Sequence, residues 1–289
     1  MADADWVRYK QIRGKALPGE ATLLGTPYRL ATHLKRDFYA ATGLFERVEP
    51  ADSAAPGKVL LKIYHTDPFW GVPLGWLGRF LCRRETGFLR QLDGVEGVPQ
   101  FREPHGESGF VREFVPGCNL REFTRGGRQV DADFFPRVRA ILDAVHARGV
   151  AHNDLSKPEN VLVATDGAPA LIDFQIASRI LTAGGPFTRL WNRPLIAYLQ
   201  GVDRYHLTKQ NIYRRPSDFS PEERLGLRRK GWIITVHGWL RRPYRALRHV
   251  VLRNYLAPGT SSAVPAPHLP TPPNPASDRV GVAEDRRTR

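Results

Sequence analysis

The sequence predicts an α+β fold in two lobes, a small β-rich one followed by a larger helical one. Three observations carry this. Between Ala21 and Val115 the apolar residues fall into short runs separated by turn-forming residues, the pattern of strands. Between Phe134 and Arg148, Phe135, Val138, Ile141, Leu142 and Val145 recur at helical spacing, and Gly149 follows as a terminator. At 289 residues with 42% hydrophobic composition, the chain can build one two-lobed domain or two small ones around a large core.

Composition bounds the function classes. The formal net charge of +14 points to anionic partners, namely nucleic acid, anionic lipid or a phosphorylated substrate, with a generally Arg-rich composition as the alternative. The two cysteines, Cys82 and Cys118, lack metal-ligand spacing, so neither a zinc site nor a disulfide framework is expected. Asp3 and Asp5 stand where a signal peptide would need an apolar run. No apolar stretch reaches the roughly 18 residues a membrane span requires. A reducing cytoplasm is the expected setting.

Residues 1–20 are polar and mixed and read as an N-terminal extension. Leu34 to Val48 reads as strand, tight turn, strand. Asp52 to Gly57 is a turn-rich break. Lys58-Val59-Leu60-Leu61-Lys62-Ile63-Tyr64 is then an apolar strand with a lysine inside it. Lys62 either points into a cleft at nucleotide phosphates or lies on the solvent face of an edge strand; lysine is seldom fully buried unless paired.

Phe69 to Phe80 is aromatic and broken by Pro68, Pro73 and three glycines, and is expected to pack in the core more than at a membrane interface. It leads into a helix-like run from Leu81 to Leu92. Glu85 is the only acid between Asp67 and Asp93, and is either the partner of Lys62 or a solvated charge beside Arg83 and Arg84. Gly109 to Val115 reads as a strand ending in a link between lobes, where backbone groups of Glu113 and Val115 are placed to meet an adenine edge.

The chemistry concentrates in His152-Asn153-Asp154-Leu155-Ser156-Lys157-Pro158-Glu159-Asn160-Val161-Leu162-Val163 and Leu171-Ile172-Asp173-Phe174. A polar loop enters an apolar strand, turns at Asp166-Gly167, and returns as a strand ending in an acid. Carboxylates at loop and strand ends suit Mg²⁺, which takes one or two protein oxygens alongside phosphate oxygens. Phosphoryl transfer asks mainly for positioning and charge neutralisation. Asp154 fits the group that orients a hydroxyl, Asn160 and Asp173 fit metal ligands, Lys62 fits the α- and β-phosphates, and Lys157 adds charge near the transferred group.

These motifs resemble the protein-kinase-like fold. His152-Asn153-Asp154 stands where that family has His-Arg-Asp or His-Gly-Asp, Lys157-Pro158-Glu159-Asn160 is similar to its Lys-Pro-Glu-Asn, and Ile172-Asp173-Phe174 looks like its metal-binding triplet. The resemblance covers residues 21–180. It implies a β-rich N-lobe over 21–115, a helical C-lobe over 116–256, and ATP and Mg²⁺ as cofactors. His152 is implied as a structural hydrogen-bonder of the catalytic loop. The bacterial RIO-like and lipopolysaccharide-core sugar kinases look nearest, which implies a hydroxyl acceptor on a protein Ser/Thr or an envelope sugar.

Departures from the pattern matter. Asp154 to Asn160 is one residue longer than usual, so the loop bulges near Ser156 or Glu159 takes the asparagine position. Gln175 replaces a glycine, implying a locked segment. There is no Gly-x-Gly-x-x-Gly; Gly43 with Ala40, Ala41 and Thr42 offers small residues over the phosphates. No Ala-Pro-Glu follows Asp173, which argues against a eukaryotic-type peptide platform. These losses make a pseudokinase, a nucleotide- or partner-binding module, the alternative function.

From Arg204 to Arg253 the chain carries 13 Lys and Arg against three Asp and Glu, with Trp232, Trp239 and Tyr244 among them. Helices over 231–240 and 244–252 are expected, either as ordinary C-lobe elements or as a peripheral contact with an anionic inner membrane face. Residues 257–289 read as a disordered Pro-rich tail. No specific nucleic-acid binding is expected.

Overall fold

In the computed structural model, which describes residues 16–48, 55–68, 72–181 and 186–226, the first lobe is built on a six-stranded antiparallel sheet. Its strands are β1 (Glu20–Leu23), β2 (Thr26–Arg36), β3 (Ala40–Arg47), β4 (Lys58–Tyr64), β5 (Phe101–His105) and β6 (Gly109–Glu113), in the order β1-β2-β3-β4-β6-β5. Helix α1 (Gly75–Gln91) connects β4 to β5 and packs on β4.

Strand β4 lies inside the sheet, between β3 and β6, and is covered on both faces. Val59 and Leu61 join Leu23, Tyr28, Phe45 and Val111 in a small core on one side. Tyr64, two residues beyond Lys62 and so on its face, joins Cys82, Phe88 and Leu89 of α1 in the main core. Lys62 is therefore buried, 8% exposed, and the edge-strand alternative falls away.

Helix α1 begins six residues before the expected Leu81. The reason lies at Gly78, where an added Cβ would stand 2.4 Å from the His65 carbonyl oxygen. Glycine weakens a helix interior, but only glycine allows this helix to lie so close to the end of β4. The same register turns Gly78, Cys82, Glu85 and Leu89 inward. Trp76 and Phe80 face out, 61% and 52% exposed, so the core packing expected for them is not found. Phe69 and Trp70 lie outside the described residues.

The second lobe holds β7 (Gly117–Asn119), α2 (Leu120–Phe123), α3 (Phe134–Ala147), β8 (Val150–Ala151), β9 (Val161–Ala164), β10 (Pro169–Leu171), β11 (Ser178–Arg179), α4 (Pro186–Arg214) and α5 (Pro221–Gly226). Strands β10, β9 and β7 form one small sheet, and β11 pairs with β8 in another. The expected hairpin of two apolar strands is β9–β10, with Val163 opposite Pro169 and Gly167 at φ +80° in its turn. Helix α3 buries Phe135, Val138, Leu142 and Val145 against Leu155, Val161, Leu171 and Phe174. Each such side chain contributes about 1.5–3 kcal/mol on burial, so the core lies directly beneath the loop that carries Asp154.

Helix α4 was not anticipated, because Pro194 interrupts its pattern in sequence. The expected helices over 231–240 and 244–252, Trp232, Trp239, Tyr244, the tail 257–289 and residues 1–15 of the extension lie outside the described residues. Among the described residues no helix is long and apolar enough to cross a membrane.

Candidate active site

Lys62 and Glu85 meet inside the first lobe. Lys62 Nζ donates to Glu85 Oε1 at 3.0 Å and Oε2 at 2.7 Å, and the Tyr64 hydroxyl also bonds Glu85 Oε2. Burial by itself would lower the Lys62 pKa; Glu85 and Asp173 outweigh it and hold the ammonium charged. Burial, with the Glu85 carboxylate adding to it, pushes the Tyr64 phenol well up, so it stays a neutral donor. Glu85 is thus a buried partner and not a solvated helix charge.

Asp173 stands at the end of β10 in a left-handed conformation, φ 67° and ψ 68°. Lys62 Nζ lies 3.6 Å from its Oδ1 and Lys35 Nζ 3.6 Å from its Oδ2. Burial would raise its pKa; Lys62, Lys35, His152 and Lys157 outweigh that and hold the carboxyl well below the usual range. Its Oδ1 is buried without a hydrogen-bond partner. A carboxylate oxygen kept ionised, beside a lysine but without a hydrogen bond, suits a cation. Among the described residues no cluster of three or more His, Cys, Asp and Glu forms, so the donor set fits Mg²⁺ shared with phosphate oxygens better than a caged metal.

Asn160 and Glu159 separate clearly. The extra loop residue is taken up in a turn, with the Lys157 amide bonded to the Asp154 carbonyl at 3.2 Å, followed by a 3-10 turn over Pro158–Asn160. That rotation buries Asn160 at 4% exposure, its Nδ2 donating to the Asp154 carbonyl at 3.0 Å. Glu159 points away to Arg121 Nη1 at 2.8 Å. With the donor end of the Asn160 amide committed, its oxygen is the end that can meet a cation.

Asp154 is paired with Lys157, whose Nζ donates to Oδ2 at 2.6 Å. His152 is fully buried; its Nε2 bonds the Ile172 carbonyl at 3.0 Å, its Nδ1 receives the Asp154 amide at 3.3 Å, and its ring packs on Phe174. Nε2 thus ties the loop to the segment before Asp173, and Nδ1 braces the loop itself.

Glu113 and Val115 occupy the linker. The Glu113 amide donates to the Gln100 carbonyl at 2.9 Å, and its carbonyl accepts from Arg112 Nη1 at 3.4 Å, with its second lone pair as the one an adenine edge could meet. Both residues line a cavity of about 620 Å³ between the linker, α3 and the β9–β10 hairpin. Lys62, Glu85, Asp154 and Asp173 do not line it, so this cavity is distinct from the cluster of charged groups.

The small-residue cover expected at Gly43 is not found. An added Cβ there would stand 2.6 Å from Leu17 Cδ1 and Leu30 Cδ1, so Gly43 faces apolar packing. The turn of the hairpin lies instead between Arg36 and Ala40.

One residue escaped the sequence reading. Asp203 of α4 is fully buried. Its carboxylate receives the backbone amides of His152 at 2.7 Å and Asn153 at 2.8 Å, and it also contacts His146 Nε2 at 3.2 Å. Asn153 is thereby held at φ 64°, a conformation asparagine tolerates better than most residues. Its side chain bonds the Ile176 carbonyl at 3.0 Å and Ser178 Oγ at 2.8 Å. A lone acid amid the apolar Ile196–Leu207 face was the available signal.

The sequence is similar to those of known proteins. The chain is 39% identical over 205 residues to the serine/threonine-protein kinase PknE of Mycobacterium tuberculosis, covering 66% of this chain and 33% of that protein. It is 29% identical over 161 residues to CBL-interacting protein kinase 20 of Oryza sativa, covering 53% of this chain and 33% of the relative. A third similarity, to the probable serine/threonine-protein kinase PknB of Lactococcus lactis, is 29% over 104 residues, covering 34% and 16%. The chain has a protein-kinase-like fold. No family model matches it. The chain spans a third or less of the length of these relatives.

Proposed function

We propose that this protein is an ATP- and Mg²⁺-dependent phosphotransferase acting on a hydroxyl, and that the hydroxyl is a serine or threonine of a protein. The observation that carries the reading is Asp173: an ionised carboxylate with a buried oxygen that makes no hydrogen bond, set beside the Lys62–Glu85 pair. Three relatives named as protein kinases support the choice of acceptor.

In this reading Lys62, oriented by Glu85, holds the α- and β-phosphates, and the Glu113 carbonyl and Val115 backbone receive the adenine. Asn160 and Asp173 would hold Mg²⁺, which when bound neutralises phosphate oxygens. Asp154 orients the acceptor hydroxyl and takes its proton as the new O–P bond forms and the bond to ADP breaks. Lys157, released from Asp154, brings its charge to the transferred phosphoryl group. His152 positions the loop through Ile172.

The test is transfer of labelled phosphate from ATP into protein, lipid-linked and small-molecule pools. Wild type should label protein, and Asp154→Ala should lower the rate by about 10²–10⁴-fold, the usual worth of a positioned general base. Label in a lipid-linked sugar would favour the RIO-like or lipopolysaccharide-core type instead. Wild type and Asp154→Ala equally inert on every pool would leave the pseudokinase.

The reading carries a place in the cell as well: the cytoplasm, with contact at an anionic inner membrane face. The exposed Trp76 and Phe80 beside Arg79 and Arg83 support it. The protein should float with anionic vesicles at low salt; its remaining in the bottom fraction would refute the contact.

A further inference from the structure

The hairpin over the cleft has given up the means by which a backbone would bind phosphate. At its turn, Asp37 Oδ1 accepts the amides of Tyr39 at 2.8 Å and Ala40 at 2.9 Å. The Asp37 amide in turn donates to the Ala40 carbonyl at 2.9 Å, and the Tyr39 carbonyl is tied to the His65 amide at 2.8 Å. Two amides that a glycine-rich turn could present to an anion are thus consumed within the turn, in the manner of an Asx turn. Any neutralisation from this side must come from a side chain.

Lys35 is placed to supply it. Along β2 and β3 the register jumps from His33 opposite Gly43 to Lys35 opposite Thr42, a bulge at Leu34. One extra residue reverses the face on which the next side chain emerges. Without the bulge Lys35 would share the apolar face of Gly43; with it, Lys35 shares the face of Thr42. Thr42 in turn stands opposite Lys62 on β4. Lys35, Thr42 and Lys62 form one cross-strand row, and the two ammonium groups reach opposite oxygens of Asp173, each at 3.6 Å. Lys35 also lies 3.5 Å from Asp37 Oδ2. Neither contact of Lys35 is at hydrogen-bond length, and its side chain is 57% exposed, so it can turn to an incoming anion.

The geometry points to Lys35 as a second phosphate-binding cation, a side chain that takes over from the backbone amides of the hairpin in holding the β- and γ-phosphates of the nucleotide. This rests on the phosphotransferase reading above. Lys62 is fixed by Glu85 from beneath; Lys35 closes from above.

Equilibrium binding of ATP, ADP and adenosine to the full chain with Mg²⁺ tests it. Lys35→Ala should weaken ATP by about tenfold or more, the scale of one lost charge-assisted contact, and leave adenosine unchanged. Lys35→Arg should keep most of the ATP affinity. A Lys35→Ala protein with the wild-type ratio of ATP to adenosine affinity overturns the assignment, as does one that loses both ligands alike, which would mean the lysine only shapes the hairpin. Wild type that binds none of the three overturns the phosphotransferase reading itself, a result distinct from either.

Discussion

Two lysine–carboxylate pairs of nearly equal length, one in each lobe, behave as different devices. Lys62–Glu85 at 2.7 Å has side chains 10% and 4% exposed, and Tyr64 adds a third contact. Lys157–Asp154 at 2.6 Å has a lysine 59% exposed and an aspartate at 11%. Removing one partner of a buried pair strands the other charge in a poor solvent, whereas an exposed lysine exchanges its partner for water at little cost. The first pair is scaffold, fixed before any ligand arrives. The second can open, as the role proposed for Asp154 requires. Equal distances therefore say little about role; burial decides it.

A stability series sharpens the contrast. Lys62→Ala should cost about 3–5 kcal/mol, since Glu85 is left buried and charged. Tyr64→Phe should cost about 1–3 kcal/mol, the worth of a hydrogen bond to a charged group. Lys157→Ala should change stability by less than about 1 kcal/mol. Urea unfolding midpoints read all three; a Lys157→Ala loss as large as that of Lys62→Ala would erase the distinction between the pairs.

The smallest effect is expected where both partners are half exposed. Asp143 joins Arg204 of α4 at 3.0 Å and Arg139 at 3.2 Å. Burial would raise its pKa, but the hydrogen bonds and charges of Arg204 and Arg139 together outweigh that and lower it. A carboxyl depressed in the fold lends stability above its unfolded value of about 3.9 and loses it as pH falls through the lower folded value. Arg204→Ala should therefore cost less than about 1 kcal/mol near neutrality and nothing once Asp143 is protonated. A difference that persists unchanged in strong acid would assign the loss to packing.

Much of the site was legible because its residues sit in short motifs at element ends. Lys62 was ambiguous until β4 proved to be an inner strand, since a seven-residue run does not disclose its neighbours. Glu159 and Asn160 could not be told apart, because adjacent residues differ only by the rotation of one 3-10 turn. Helix α1 began early because Gly78 answers to the His65 carbonyl, a contact no local propensity contains. The role of the 36–40 turn was missed for a related reason: Gly43 has the right composition for a phosphate cover, but the pleat of β3 turns it toward Leu17 and Leu30. The Arg204–Arg253 charge excess belongs in part to α4, an element that Pro194 concealed.

Asp203 imposes an order in time. The amides it holds lie 51 and 50 residues earlier in the chain. At synthesis rates of about 5–20 residues per second, the loop bearing Asp154 waits about 3–10 s after emerging before its anchor exists. Until α4 docks, the His152 and Asn153 amides have only water for partners. The strand lysine and its glutamate can pair sooner, so the nascent protein gains its buried Lys62–Glu85 pair before its Asp154 loop is anchored.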